Sequence, residues 1–185
     1  MPAVILDACG TLNLYASGRF VPILSVLQYD WHIPLAVERE ALHYRQPDPS
    51  DPEKLIIESV DLVPALSSGV LKRCNCENEE ETALYVELAA SIGDDGESMG
   101  LAIAKCRGWT VMTDDKKARR IAGELGIEVV GTPQVMKMWA EIAVPQPSEL
   151  AQVLESIQQY SNYRPTRNAV DFDWWVASLQ LGVDE

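Results

Sequence analysis

Apolar residues recur along the chain in short runs separated by turn residues, and the runs alternate between two kinds of period. Val4-Ile5-Leu6 is a brief apolar run closed by Asp7, and Trp109 to Met112 is another, closed by Thr113-Asp114-Asp115. Both read as buried strands, as do Val70 to Cys74 and Ile127 to Val130. Between them the spacing turns helical. Asn75 to Ser91 predicts a helix capped by Asn78, with Leu84, Leu88 and Ile92 as its buried stripe and Glu79, Glu80 and Glu81 as a solvated, dipole-matched first turn. Glu97 to Cys106 predicts a helix buried on both faces, stopped by Gly108. Lys116 to Leu125 places Ala118, Ile121, Ala122 and Leu125 inward and ends at Gly126.

The flanks are less regular. Gly10 to Tyr15 reads as a turn into a helix, and Val21 to Leu27 fits either a helix or a strand. Ile33-Pro34 opens a helix in which Ala36, Val37, Ala41 and Leu42 repeat on one side and Glu38, Arg39, Glu40 and Arg45 share the other. Gln46 to Asp51, flanked by prolines, reads as a rigid inserted loop, and Leu55 to Leu66 has no clear period. Beyond Pro133 two helices, Val135 to Ile142 and Ser148 to Tyr160, lead through a polar turn at Ser161 to Asn168 into an aromatic segment at Phe172, Trp174 and Trp175. Strands alternating with helices imply a three-layer α/β fold with a mainly parallel central sheet and helices on both faces. Residues 1–135 form that domain in this reading. Residues 136–185 form a helical C-terminal extension packed on it or on a partner.

Composition adds bounds. The 185 residues are 47% hydrophobic and 23% charged, ordinary for one globular domain. No apolar run is long enough to span a bilayer, and the N-terminus has no signal-peptide pattern, so a cytoplasmic location is expected. Cys74-x-Cys76 is too tight for the usual zinc pair, and the four cysteines read as reduced thiols. Net charge is 15 − 28 = −13, which opposes non-specific nucleic-acid binding and suits a basic partner.

The chemistry lies in the acids. In open α/β sheets ligands bind beyond the carboxyl ends of the strands. Asp7 and the pair Asp114 and Asp115 stand at such ends, and Glu97 opens a helix after Gly96 and so starts at the same edge. A cluster of this kind suits a hard divalent cation, which prefers oxygen ligands. Taken alone, Asp114 and Asp115 are better explained as caps of the following helix; Asp7, with no other evident structural duty, moves the balance toward the cation.

Four stretches together resemble the PIN domain, the fold of VapC-like toxin ribonucleases and their uncharacterised bacterial relatives. They are Ile5-Leu6-Asp7 with its Ala-Cys-Gly-Thr-Leu turn, Ile33-Pro34-x-x-Val37-x-x-Glu40, Gly93-Asp94-Asp95-Gly96-Glu97, and Thr113-Asp114-Asp115. Lys117 to Ala122, closing on Gly126 to Thr132, is similar to one branch of that family, and the resemblance spans roughly residues 3 to 135. It implies an endonuclease for single-stranded RNA that depends on Mg2+ or Mn2+. Asp7, Glu97 and Asp114 or Asp115 would be metal ligands, and Glu40 would ligate through water or orient the nucleophile. It also implies an antitoxin protein as partner and a homodimer, with the apolar tail around Trp174 and Trp175 as an interface. Glu97 departs from the pattern, standing where many members carry Asp. The local cations Lys105, Arg107, Lys116, Lys117, Arg119 and Arg120 are expected to offset the acidic surface near the pocket.

Two other readings compete. Leu6-Asp7-Ala8-Cys9-Gly10-Thr11-Leu12 resembles the first motif of haloacid-dehalogenase-type phosphatases, but Cys9 stands where their general acid belongs. A catalytically silent PIN-fold binding module is the third. His32 and His43 show no partner pattern for catalysis, and no glycine-rich phosphate loop occurs.

Overall fold

Alternation along the strands decides the layers. The computed structural model describes residues 1–40 and 42–181, apart from the side chains of Pro52 and Glu53. Five parallel strands form the central sheet: β1 (Ala3–Leu6), β2 (Asp30–Pro34), β5 (Leu71–Cys74), β6 (Thr110–Met112) and β7 (Val129–Val130). Successive side chains on a strand point to opposite faces. Val4 and Leu6 therefore enter one apolar cluster with Trp31, Ile33 and Met112, while Ile5 enters a second with Val111. The first cluster is covered by α1 (Ala8–Ala16), α2 (Phe20–Leu27), α4 (Val63–Ser67), α8 (Thr132–Ala143), α9 (Pro147–Tyr160) and α10 (Phe172–Leu181). The second is covered by α5 (Glu79–Ile92), α6 (Asp95–Arg107) and α7 (Lys116–Leu125). This is the three-layer arrangement that the periodicity predicts.

The strand order is β5-β2-β1-β6-β7, with β1 in the middle. From β1 the chain first builds outward to one side and later returns to add β6 and β7 on the other. The crevice beyond the ends of β1 and β6 is thus the switch point of the sheet, the usual ligand position in such folds.

The region between β2 and β5 corrects the sequence reading. Ile33 and Pro34 belong to β2, and the helix after them, α3 (Leu35–Arg39), has only five residues. Glu40 closes it with extended backbone, Ala41 lies outside the described residues, and Arg45 is in a strand. The expected proline loop is instead an antiparallel hairpin of β3 (His43–Asp48) and β4 (Asp51–Ser59). Its prolines are tolerated because a two-stranded ribbon consists only of edge strands. Val21 to Leu27 resolves to helix.

Caps agree with the pattern. Asn78 accepts from the Glu81 amide at 2.9 Å, and Gly126 ends α7 at φ +69°, where a side chain would be strained. The acidic first turn of α5 is only partly solvated, however. Glu81 is buried and takes a two-point hydrogen bond from Arg107 at 2.7 and 2.9 Å, which holds its carboxyl below the usual range. The C-terminal helices complete the first core: Trp175 is fully buried, and Val153, Leu154 and Ile157 line α9's inner face. Trp175 is therefore not free to form an intermolecular interface. Among the described residues no helix is long and apolar enough to cross a membrane.

Candidate active site

Register places the first two acids. Leu6 pairs with Met112, so the next residues, Asp7 and Thr113, leave the sheet side by side. The Asp7 amide donates to the Met112 carbonyl at 3.2 Å. Asp7 then caps α1, its Oδ1 accepting from the Gly10 amide at 2.5 Å. A side chain at position 10 would press on both Asp7 Oδ1 and the Met112 carbonyl, so glycine allows the close approach. Asp7 is 8% exposed, and its pKa is raised to about 7. Burial is the chief cause, hydrogen bonds from Thr113 and Gly10 oppose it, and the Asp114 and Glu97 charges add to it.

Asp114 and Asp115 divide their work. Asp115 caps α7, its Oδ1 accepting from the amides of Lys117 and Ala118 at 2.7 and 2.9 Å. Asp114 does not cap α7; it follows β6 and is held from three elements. Asn13 of α1 donates to it at 3.0 Å, the Thr132 amide at 3.1 Å, the Thr132 hydroxyl at short range, and the Tyr163 hydroxyl at 2.9 Å. Thr132 opens α8, and Tyr163 comes from the segment after α9. The capping explanation for the acid pair thus holds for Asp115 alone.

Glu97 arrives from the other layer, in the first turn of α6, which Asp94 caps at 2.8 Å. Its Oε1 is buried without a hydrogen-bond partner among the described residues. Burial raises its pKa, the Asp115 and Asp94 charges add, and Lys117 opposes. The Cys9 thiol stands among Asp7, Asp115, Asp114 and Glu97. Desolvation first, then these charges, push it up to about 12, so it is a neutral thiol at physiological pH.

Glu40 lies to one side. Its carboxylate faces the Gly96 amide at the start of α6, and burial followed by the Asp94 and Asp95 charges raises its pKa. A Cβ on Gly96 would collide with Glu40 Oε1 and Val37. Glu40 thus joins the acids at the α6 N-terminus, while the charges of Asp7, Glu97, Asp114 and Asp115 all act on the exposed Cys9.

Among the described residues, no three Asp, Glu, His or Cys side chains stand close enough together to enclose an ion as they are placed. The donor set nevertheless fits a hard dication: all oxygen, with an orphaned buried Glu97 Oε1 and a buried Asp7 whose ionisation is costly without a countercharge.

The expected cations separate. Lys116 and Arg119 line a cavity of about 610 Å³ beside Asp114 and Asp115. Lys117 donates to the Ile92 carbonyl near Glu97. Arg107 is committed to Glu81, Lys105 to the Leu125 carbonyl, and Arg120 to Glu124, so these three do not serve the pocket. Besides Thr113, read in the sequence with the acid pair, residues not read as site candidates complete the site: Asn13, Thr132, Tyr163 and Arg164. Only Thr113, adjoining the acid pair, carried a positional signal.

Residues 3–170 match the profile of a family described as PIN domain. The chain belongs to the PIN domain family. The match runs through α9 and the segment that carries Tyr163. PIN domains are typically nucleases and generally use divalent metal ions, so nuclease-type chemistry is the coarse assignment for this chain. The likeness of Leu6 to Leu12 to a phosphatase motif is that of a short run within a PIN domain. A search of curated proteins found no match.

Proposed function

We propose that this PIN domain is a metal-dependent endoribonuclease for single-stranded RNA and the toxin of a toxin–antitoxin pair. The observation that supports this is that Asp7 and Asp114 follow the adjacent strands β1 and β6 at the switch point of the sheet, where Asp7 and Glu97 both feel neighbouring acid charges. Asp7, Glu97, Asp115 and Asp114 would hold Mg2+ or Mn2+. When bound, such an ion lowers the pKa of water and stabilises charge on the phosphate.

The chain's own residues prepare that site. Thr113 and Gly10 fix the Asp7 carboxylate, while Asn13, Thr132 and Tyr163 fix that of Asp114. Such fixed geometry is what positions reactants for in-line displacement. Glu40, beside the Gly96 amide, would ligate the ion through water or orient the nucleophile. Cys9, held as a thiol, is unsuited to acid–base work near neutral pH, which disfavours the phosphatase reading.

The −13 charge suits a basic or mixed antitoxin. A homodimer is part of this reading, but with Trp175 in the core its interface would use other apolar residues, such as exposed Ile142 and Val144. Light scattering that gives a monomer mass over a wide concentration range would remove the dimer.

One assay separates the readings of the site. The purified chain should cleave single-stranded RNA with added Mg2+ or Mn2+ and stop in EDTA. Hydrolysis of a small phosphomonoester with RNA left whole would instead indicate a phosphatase, and neither activity a binding module.

A further inference from the structure

Beside the carboxylates runs a groove of about 610 Å³ whose basic and amide side chains have no part in holding the ion. Asp114 and Asp115 line it together with Lys116 and Arg119 from the start of α7 and Arg164 and Asn168 from the segment 161–169. We propose that this groove binds the RNA strand flanking the scissile phosphate, with Lys116 and Arg164 contacting its phosphates. This rests on the ribonuclease reading above and deepens it by locating the substrate.

Charge carries the argument. The chain has a net charge of −13, and many of its cations are already committed to carboxylates, as Arg19, Lys72, Arg73, Arg107, Arg120 and Lys137 are. Lys116 and Arg164 have no such partner among the described residues, although acids outnumber bases. Arg119 is steered, donating to the Thr113 carbonyl at 2.9 Å, so its guanidinium is held beside the acids. Free cations from two separate elements, lining one groove with the carboxylates, match a polyanion whose backbone contacts the cations and whose cleavage point lies at the acids.

The groove is also preformed. The segment after α9 enters through Asn162 at φ +58° and ends at Asp171 at φ +63°. It is fastened by Lys137 to Asp171 at 2.6 Å and by the edge-to-face contact of Tyr163 with Trp175, centroids 6.0 Å apart. Asn162 and Asn168 line it with side-chain amides, which can donate to and accept from base edges. A strand bound there meets little ordering cost on the protein side. An acidic partner peptide would use the same cations but carries no phosphodiester for the neighbouring acids to act on.

The test measures binding of a fluorescein-labelled single-stranded RNA of mixed sequence by anisotropy, with Mg2+ present, in the Asp7→Asn background so that the RNA stays whole. Adding Lys116→Gln and Arg164→Gln should weaken binding about tenfold. It should also reduce the slope of log K against log salt by about 1.4, the value for two lost phosphate contacts on a single strand. Arg45→Gln, an exposed cation on the β3–β4 hairpin, should change neither. Equal effects from Arg45→Gln and the groove pair would overturn the groove. So would RNA cleavage by the Lys116→Gln/Arg164→Gln protein, with Asp7 intact, at unchanged KM; the ribonuclease reading would then still stand. A chain that neither binds nor cuts RNA would overturn both.

Discussion

Tyr163 donates its hydroxyl to Asp114 Oδ1 at 2.9 Å, across 49 residues of sequence. With the Thr132 amide on the same oxygen, and Asn13 and the Thr132 hydroxyl on Oδ2, both carboxylate oxygens of Asp114 are multiply bonded. The acid at the end of β6 is thus oriented by α1, by the start of α8 and by the segment after α9. That segment, outside the three-layer core, is part of the site.

Tyr163→Phe keeps the ring on Trp175 and removes only this hydroxyl. A hydrogen bond to a charged group is worth about 1.5–3 kcal/mol, less where water can replace it. Chemical denaturation should show about 1–2 kcal/mol lost at neutral pH, with the fold unchanged by circular dichroism. Unchanged stability would mean that Asp114 is oriented without Tyr163.

Asp7 makes apo stability depend on pH. Its folded pKa of about 7 lies above the unfolded value of 3.8, so the folded state holds its proton more tightly. Stability is therefore fullest below about pH 4 as far as this group is concerned, and it falls as pH rises toward 7, by up to about 1.4 kcal/mol per unit. Denaturant titrations of the metal-free protein between pH 5 and 8 should show that decline. Asp7→Asn should flatten it and be the more stable protein at pH 8. The same slope in both proteins would assign the decline to other groups.

Gly96 is packed against Glu40 and Val37, leaving no room for a methyl group. Gly96→Ala should destabilise the chain by about 1–3 kcal/mol, the range for overpacking. The cost should be smaller in a Glu40→Ala background, because one of the two obstructing side chains is then gone. Equal costs in the two backgrounds would show that Glu40 yields freely.

Strand periodicity and capping residues made the sheet and the α5–α7 layer legible in the sequence, since Val4 to Asp7, Asn78 and Gly126 are governed by local rules. The hairpin was not, because Pro47 and Pro52 signal a loop equally well, and the two strands pair only with each other, so no buried face imposes an alternating pattern. The α3 helix was overextended because Val37, Ala41 and Leu42 mimic a helical stripe across its end. In the site, Asp7, Glu97, Asp114 and Asp115 were legible because each stands at an element's end. Tyr163 and Arg164 were not. They reach the site through the packing of α9 and α10, and a polar turn in a sequence gives no sign of what it folds against.

Asp7, Glu97, Asp114 and Asp115 are proposed to hold one divalent ion together. A calorimetric titration of Mn2+ into the metal-free chain at pH 7.5 tests this most directly, run beside Asp7→Asn, which exchanges an anionic ligand for a neutral one of the same shape. Saturable binding to the native chain is expected, with at least a tenfold weaker affinity in Asp7→Asn. Equal binding by both proteins, or none by the native chain, would contradict the proposal.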